Sequence, residues 1–232
     1  MTKTVLITGV SSGIGYEQAR LFLKEGYHVY GVDKNPAQKL DGNFDFLQID
    51  ISKDLTALFT NVKEVDILCL TAGILDDYKP LLETNKQEIE DVFATNFFAV
   101  VNVTSFYLEK MVEKQSGCII TMCSIASFLA GGGGVAYTSS KHALAGFTKQ
   151  LALDYAKENI SIFGIAPGAV KTAMTKSDFE QEGLSEWVAN ETPIKRWILP
   201  EEVAELSLFL ASGKASAMQG EIVTIDGGWS LK

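Results

Sequence analysis

Three side chains of this sequence have the types and spacing to move a proton: Ser124, Tyr137 and Lys141. Tyr137 and Lys141 lie four residues apart in a stretch of helical pattern, so they share one face, one turn above the other. An ammonium that close to a phenol favours the phenolate by Coulomb attraction, and the tyrosine pKa is expected to fall below its usual value of about 10. A phenol tuned in that way can act as a general acid or base near neutral pH. Ser124 stands just past the apolar run 118–122, and a four-glycine turn at 131–134 leads into the helix. Spacing alone does not make a site, because any surface helix can carry a tyrosine and a lysine one turn apart. The surrounding elements must supply the reason for bringing hydroxyl, phenol and ammonium together.

Those elements are legible as seven short apolar runs, at 5–7, 28–32, 46–49, 67–70, 118–122, 160–165 and 222–225. Several are apolar on both faces, as strands are when helices cover a sheet from each side. Helical periodicity occupies 14–25, 85–114, 137–159 and 200–211. This alternation predicts an α/β fold: one Rossmann domain over 1–232, with a doubly wound, seven-stranded parallel sheet and helices on both faces. Two segments break the rhythm. Only 12 residues (34–45) separate Asp33 from Phe46, with Pro36 and Gly42 among them. A crossover that short leaves room for a helical turn or two. The segment 172–196 is polar, with Met174, Phe179, Leu184 and Trp187 dispersed through it, and reads as a loop-and-helix excursion beside the active site.

Composition narrows the partners. The chain has 232 residues, 47% hydrophobic and 21% charged, and can bury a core without disulfides or metal. Its net charge of −9 leaves no basic excess to neutralise phosphates, which argues against a nucleic-acid partner. Cys69, Cys118 and Cys123 sit singly in apolar runs, as reduced core thiols do, and no Cys/His group has metal-ligand spacing. No uninterrupted apolar stretch is long enough to span a membrane, and the N-terminus shows no leader pattern. A soluble, cytoplasmic protein is expected.

The first apolar run is followed by Thr8-Gly9-Val10-Ser11-Ser12-Gly13-Ile14-Gly15 and then a helix. Glycines in a strand–turn–helix let the backbone approach a pyrophosphate, whose charge is favoured at the helix N-terminus. The turn lacks the lysine of a nucleoside-triphosphate loop. Asp33 ends the second strand, 18 residues beyond Gly15, where a carboxylate accepts hydrogen bonds from an adenosine ribose and repels a 2′-phosphate. NAD(H) is therefore favoured over NADP(H), with the adjacent Lys34 as the opposing charge.

Taken jointly these features resemble the short-chain dehydrogenase/reductase family over essentially the whole chain. The matching motifs are Thr-Gly-x-x-x-Gly-x-Gly at 8–15, Asp50-Ile51, Ala72-Gly73, Asn96, Ser124, Tyr137-x-x-x-Lys141, and Pro167-Gly168 with Thr172 four beyond the glycine. The resemblance implies that Tyr137 exchanges a proton with the substrate oxygen and that Lys141 lowers the tyrosine pKa and holds the nicotinamide ribose. It implies that Ser124 hydrogen-bonds the substrate oxygen and that Asn96 anchors a water of a proton relay. Gly9, Ser11, Ser12, Gly13, Ile14, Gly15, Asp33, Asp50, Ile51, Ala72 and Gly73 would hold the nucleotide, with Pro167, Gly168, Val170 and Thr172 on the nicotinamide side. Helices carrying Phe97, Phe98, Phe106, Tyr107 and Phe147 resemble those that form a four-helix interface in the family, so a homotetramer or homodimer is expected.

One position departs from the family pattern: Leu70-Thr71 stands where an Asn-Asn pair often precedes Ala-Gly, which puts the bonding of the strand ends in doubt. Within the family the chain is most similar to the 3-oxoacyl-(acyl-carrier-protein) reductase-like branch, and the implied reaction joins a ketone and a secondary alcohol on a small or acyl-chain substrate. The shortened segment after Asp33 also resembles the 2,3-dihydro-2,3-dihydroxybenzoate dehydrogenases, which oxidise a cyclic diol with NAD. A protein that senses NAD(H) without turnover is the alternative of a different class. A serine hydrolase fits poorly, because Ser124 lacks the Gly-x-Ser-x-Gly setting and only His28 and His142 are present.

Overall fold

Val5 and Ile7 leave the first strand on one side of the sheet and Leu6 on the other, and all three are fully buried. A strand apolar on both faces needs cover on both, which is the physical demand that organises this chain. The structure, a computed structural model, describes residues 2–232. Its strands are β1 Thr4–Thr8, β2 His28–Asp33, β3 Phe44–Gln48, β4 Ile67–Leu70, β5 Gly117–Met122, β6 Ile160–Pro167 and β7 Ile222–Ile225. They form one parallel sheet in the order β3-β2-β1-β4-β5-β6-β7. The helices are α1 Gly13–Lys24, α2 Thr56–Asn61, α3 Lys86–Phe93, α4 Ala99–Lys114, α5 Val135–Tyr155, α6 Lys176–Glu180, α7 Leu184–Glu191 and α8 Pro200–Ala211.

Two cores result. On one face Leu6, Leu68 and Ile119 pack with Val103, Tyr107 and Leu144 of α4 and α5. On the other, Val5, Ile7 and Ile120 pack with Phe22 of α1 and Val203 and Leu210 of α8. Because β1 lies between β2 and β4, the chain reverses direction across the sheet there, and a crevice opens at the strands' C-terminal ends.

Two helical expectations are modified. The segment 34–43 contains no helix at all. Bonds to neighbouring chain hold it instead: Asn35 N–H to Asp33 (2.8 Å), Gln38 Nε2 to the Ser11 carbonyl (2.8 Å) and Gln48 Nε2 to the Lys34 carbonyl (3.0 Å). The pattern over 85–114 is not one α-helix. A π-helical turn, Ala94–Phe98, separates α3 from α4, and it carries the fully buried Asn96. Such wider turns interrupt helices at functional positions.

The doubt over Leu70-Thr71 is resolved by the bonds its neighbours make. Thr8 Oγ1 accepts from the N–H groups of Thr71 (3.0 Å) and Ala72 (3.1 Å). The Thr71 hydroxyl donates to Gln18 Oε1 (2.6 Å), and Gln18 Nε2 donates to Ser207 Oγ (2.7 Å). Gln18 and Ser207 are fully buried, so one chain of bonds joins the end of β4 to α1 and α8. Buried polar groups that lose a partner keep their desolvation cost. Gln18→Ala is expected to lower the unfolding free energy by about 3 kcal/mol through the stranded hydroxyls and the cavity left behind. Urea unfolding should show a lower midpoint at unchanged slope, and a loss below about 1 kcal/mol would contradict the network's role.

Candidate active site

A cavity of about 1050 Å³ runs along the C-terminal ends of the strands. Its nucleotide-like end is built by the glycine turn. Gly9 has φ +77°, and a Cβ there would lie 2.9 Å from Ala72 Cα, so only glycine lets the turn approach the end of β4. Ser12 caps α1 without a side-chain bond to it, and no acidic residue occupies the first turn. The N–H groups at that end are free to receive an anion, and Gly13, Ile14 and Gly15 line the cavity. These features fit a dinucleotide phosphate.

Asp33 also lines the cavity, held by the Ser11 N–H at 3.1 Å and the Asn35 N–H at 2.8 Å. Ser11 itself lies behind the wall: it is buried, and its hydroxyl donates to the Asn35 carbonyl at 3.0 Å. The structure thus gives Ser11 the task of holding Asp33. Asp50 and Ile51 line the same end. Burial works against the Asp50 carboxylate, but two bonds from Ser52 and the nearby Lys34 and Lys53 outweigh it and hold its pKa below the ordinary value. Lys53 joins Lys34 on the lining, a second ammonium that its place in a polar loop did not single out.

Midway along lie Ala72, Gly73, Pro167, Gly168, Val170 and Thr172. Val170 bridges to Ile198, which pins the chain after β6, and the Thr172 methyl rests against Gly13.

At the far end Ser124, Tyr137 and Lys141 converge on the lining. Ser124 follows β5 and starts a short 3-10 turn, accepting the Ala126 N–H at 3.1 Å. Ser127 ties that turn to α5 by donating to the Lys141 carbonyl at 2.9 Å. Lys141 is only 4% exposed, and its ammonium donates to the Met122 carbonyl at 2.7 Å. Asn96 does not reach the lining. Its side chain accepts from the Ile74 N–H (2.8 Å) and donates to the Ile74 carbonyl (2.9 Å) and Ser140 Oγ (3.2 Å). It clamps the segment after β4 against α5. Neither histidine enters: His28 pairs with Asp45 on β3 at 2.8 Å, and His142 is exposed.

The expectation that Lys141 draws the tyrosine pKa down is corrected by burial. Tyr137 is 8% exposed, and loss of hydration pushes its phenol up to about 12. The opposing Ser124 hydroxyl pulls it back, while Tyr78, Asp76 and Cys123 add to the rise. Lys141 lies with Nζ 5.5 Å from the tyrosine ring centroid, and its own burial lowers it to about 8. Desolvation is the largest cause of both shifts, raising the phenol and lowering the ammonium.

Beyond this group the walls are Leu75, Tyr78, Leu129, Met174, Trp187 and Trp229, with Asp178 adding a carboxylate. The two tryptophans meet edge to face, centroids 6.3 Å apart. The excursion over 172–196 therefore does wall the cavity, through α6, α7 and the turn before them. Phe179 turns away to Trp197 (4.6 Å). Tyr78 was not foreseen: it sits in a loop, with φ +59°, and carries no periodic signal.

Comparison with known proteins accords with this geometry. Residues 3–183 match the family model described as short chain dehydrogenase. A short-chain dehydrogenase/reductase, cdmF, of Talaromyces verruculosus is 34% identical, covering 97% of this chain and 96% of its own. The 3-oxoacyl-[acyl-carrier-protein] reductase FabG of Chlamydia trachomatis serovar D is 31% identical over 98% and 97%. The solved structure of 4-hydroxyisoleucine dehydrogenase complexed with NADH superposes with a TM-score of 0.94 at 30% identity over the full length of both chains. The chain belongs to the short-chain dehydrogenase/reductase family, whose enzymes act on CH–OH or carbonyl groups.

The buried lysine has a measurable signature. Between pH 8 and 10.5 the unfolded chain holds a proton on Lys141 that the folded chain has lost, so this group makes stability rise with pH across that window. Below about pH 8 both states are protonated and the full burial penalty is present. Urea titrations of wild type and Lys141→Met are expected to diverge in the wild type's favour by ~3 kcal/mol between those limits. A flat or opposite difference would contradict a buried, depressed ammonium.

Proposed function

We propose that this chain interconverts a secondary alcohol and a ketone, with Tyr137 as the general acid/base and NAD(H) preferred over NADP(H). The observation that carries it is the meeting, in one cavity, of a phosphate cradle at Gly9–Gly15 with Ser124, Tyr137 and Lys141. A bound nicotinamide dinucleotide supplies or takes up the hydride. In this proposal the glycine turn holds the pyrophosphate, Asp33 the adenosine ribose, Asp50 and Ile51 the adenine side, and Val170 and Thr172 the nicotinamide side. The neutral Tyr137 phenol donates its proton to the ketone oxygen in reduction and recovers it in oxidation. Ser124 donates a hydrogen bond to the oxygen on which charge develops. Lys141, anchored on Met122, keeps positive charge beside the phenol and faces the ribose. Asn96 holds the segment after β4 in place.

The apolar walls, Leu75, Leu129 and Met174 with Trp187, suit an acyl chain or small hydrocarbon, in line with the FabG-like relative. The two tryptophans also favour a second substrate, a flat cyclic diol of the dihydrodiol type. We place the protein in the cytoplasm. Its three cysteines are free and buried, and no helix among the described residues is long and apolar enough to cross a membrane. Phe98 and Leu153, left exposed beside α4 and on α5, are the contacts we propose for a dimer or tetramer.

The cofactor reading is tested by fluorescence titration of NADH and NADPH. Wild type is expected to bind NADH at least about tenfold more tightly, a difference near 1.4 kcal/mol, and Asp33→Ala to erase it. NADPH preferred by the wild type would instead assign the selection to Lys34 and Lys53. Turnover with NADH or NAD is then compared on a 3-oxoacyl thioester, a cyclic secondary alcohol and a cyclic dihydrodiol. Activity on none of them would overturn the substrate classes proposed.

A further inference from the structure

The first turn of α5 carries Tyr137, yet nothing adjacent in sequence caps it. Its N-cap is Gly134, the last of four glycines, which has no side chain to offer. The leading N–H groups of a helix have no partner within the helix. Here a carboxylate from far along the chain takes two of them. Asp76, in the loop after β4, accepts from the Gly134 N–H through Oδ1 at 2.6 Å and from the Tyr137 N–H through Oδ2 at 2.9 Å. These are the N-cap and N3 amides, so Asp76 does from 58 residues away what a capping side chain does locally.

The glycines belong to the same device. A Cβ at Gly134 would come within 2.7 Å of Asp76 Oδ2, and one at Gly133 within 2.5 Å of the Tyr137 ring. Only bare backbone lets the carboxylate reach the helix end while the phenol packs beneath it. Negative charge at a helix N-terminus is favoured by the helix dipole, and bonds to a carboxylate are stronger than neutral ones.

We propose that Asp76 is a positioning residue for Tyr137: it caps α5 from the loop after β4, fixes the turn that aims the phenol, and keeps a negative charge beside it. This rests on Tyr137 being the acid/base group. The groups facing the phenol are Ser124 and Cys123 after β5, Lys141 on α5, and Asp76 and Tyr78 in the loop after β4. Tyr78 in turn faces Asp178 from α6 and offers its N–H to Asp76 at 3.4 Å. Asp76 and Tyr78 both raise the phenol pKa. Removing the Asp76 charge therefore moves deprotonation of Tyr137 to lower pH.

Asp76→Ala and Asp76→Asn separate the two parts. Amide hydrogen exchange at Gly134 and Tyr137 needs no substrate. Asp76→Ala is expected to lose protection there by on the order of tenfold, while Asp76→Asn, which keeps one acceptor oxygen, restores part of it. With a secondary alcohol that wild type oxidises, Asp76→Ala should lose on the order of tenfold in kcat at unchanged NADH affinity. Asp76→Asn should shift the pH–rate profile to lower pH, which a purely structural cap would not do. Unchanged exchange in Asp76→Ala overturns the cap, and an unmoved profile in Asp76→Asn overturns the role of the charge. Failure of wild type to turn over any alcohol would instead strike the acid/base assignment, leaving the exchange result to decide the cap.

Discussion

A lysine ammonium buried to 4% exposure, with one bond to the Met122 carbonyl, constrains the structure around it. Burying such a charge is costly unless it is bonded and compensated. Burial depresses Lys141 to about 8, so the ammonium is held only marginally above neutrality. That cost is tolerable because the carbonyl of the last residue of β5 is aimed at the lysine and accepts its bond. The Ser127 hydroxyl, bonded to the Lys141 carbonyl, then fixes the turn after β5 to α5. Ser124, Tyr137 and Lys141 converge because those two elements are tied.

The rest of the fold holds this corner in register. Asn96 clamps the segment after β4 to α5 by way of Ser140, and the π turn is what lets a helical residue point its amide there. The chain of bonds from Thr71 through Gln18 to Ser207 anchors the end of β4 from the opposite face. The cavity is therefore bounded on both sides by buried polar contacts, whose geometry is stricter than that of apolar packing.

Much of this was legible in the sequence because the strands and their turns are local signals. The glycine turn, Asp33, Asp50, Ala72-Gly73 and Pro167-Gly168 stand at or just beyond the ends of their strands, and the sheet brings those ends together. Tyr137 and Lys141 are one helical turn apart and needed no tertiary knowledge. What escaped was tertiary. The tyrosine pKa depends on burial, which spacing does not encode. Asp76 acts on backbone N–H groups that leave no mark on residue type, and Ser11 is turned away from the cavity by its bonds to Asp33 and Asn35. The π turn carries the same apolar pattern as the α-helices flanking it.

The central claim is that the Tyr137 hydroxyl, set beside a buried ammonium, carries the proton. The measurement that tests it most directly is steady-state turnover of Tyr137→Phe on the substrate the wild type accepts, paired with NADH titration of the same variant. The phenyl ring keeps the packing and loses only the hydroxyl. Turnover is expected to fall by about 10²- to 10⁴-fold while NADH affinity stays unchanged. Turnover within about tenfold of wild type would show that another group moves the proton.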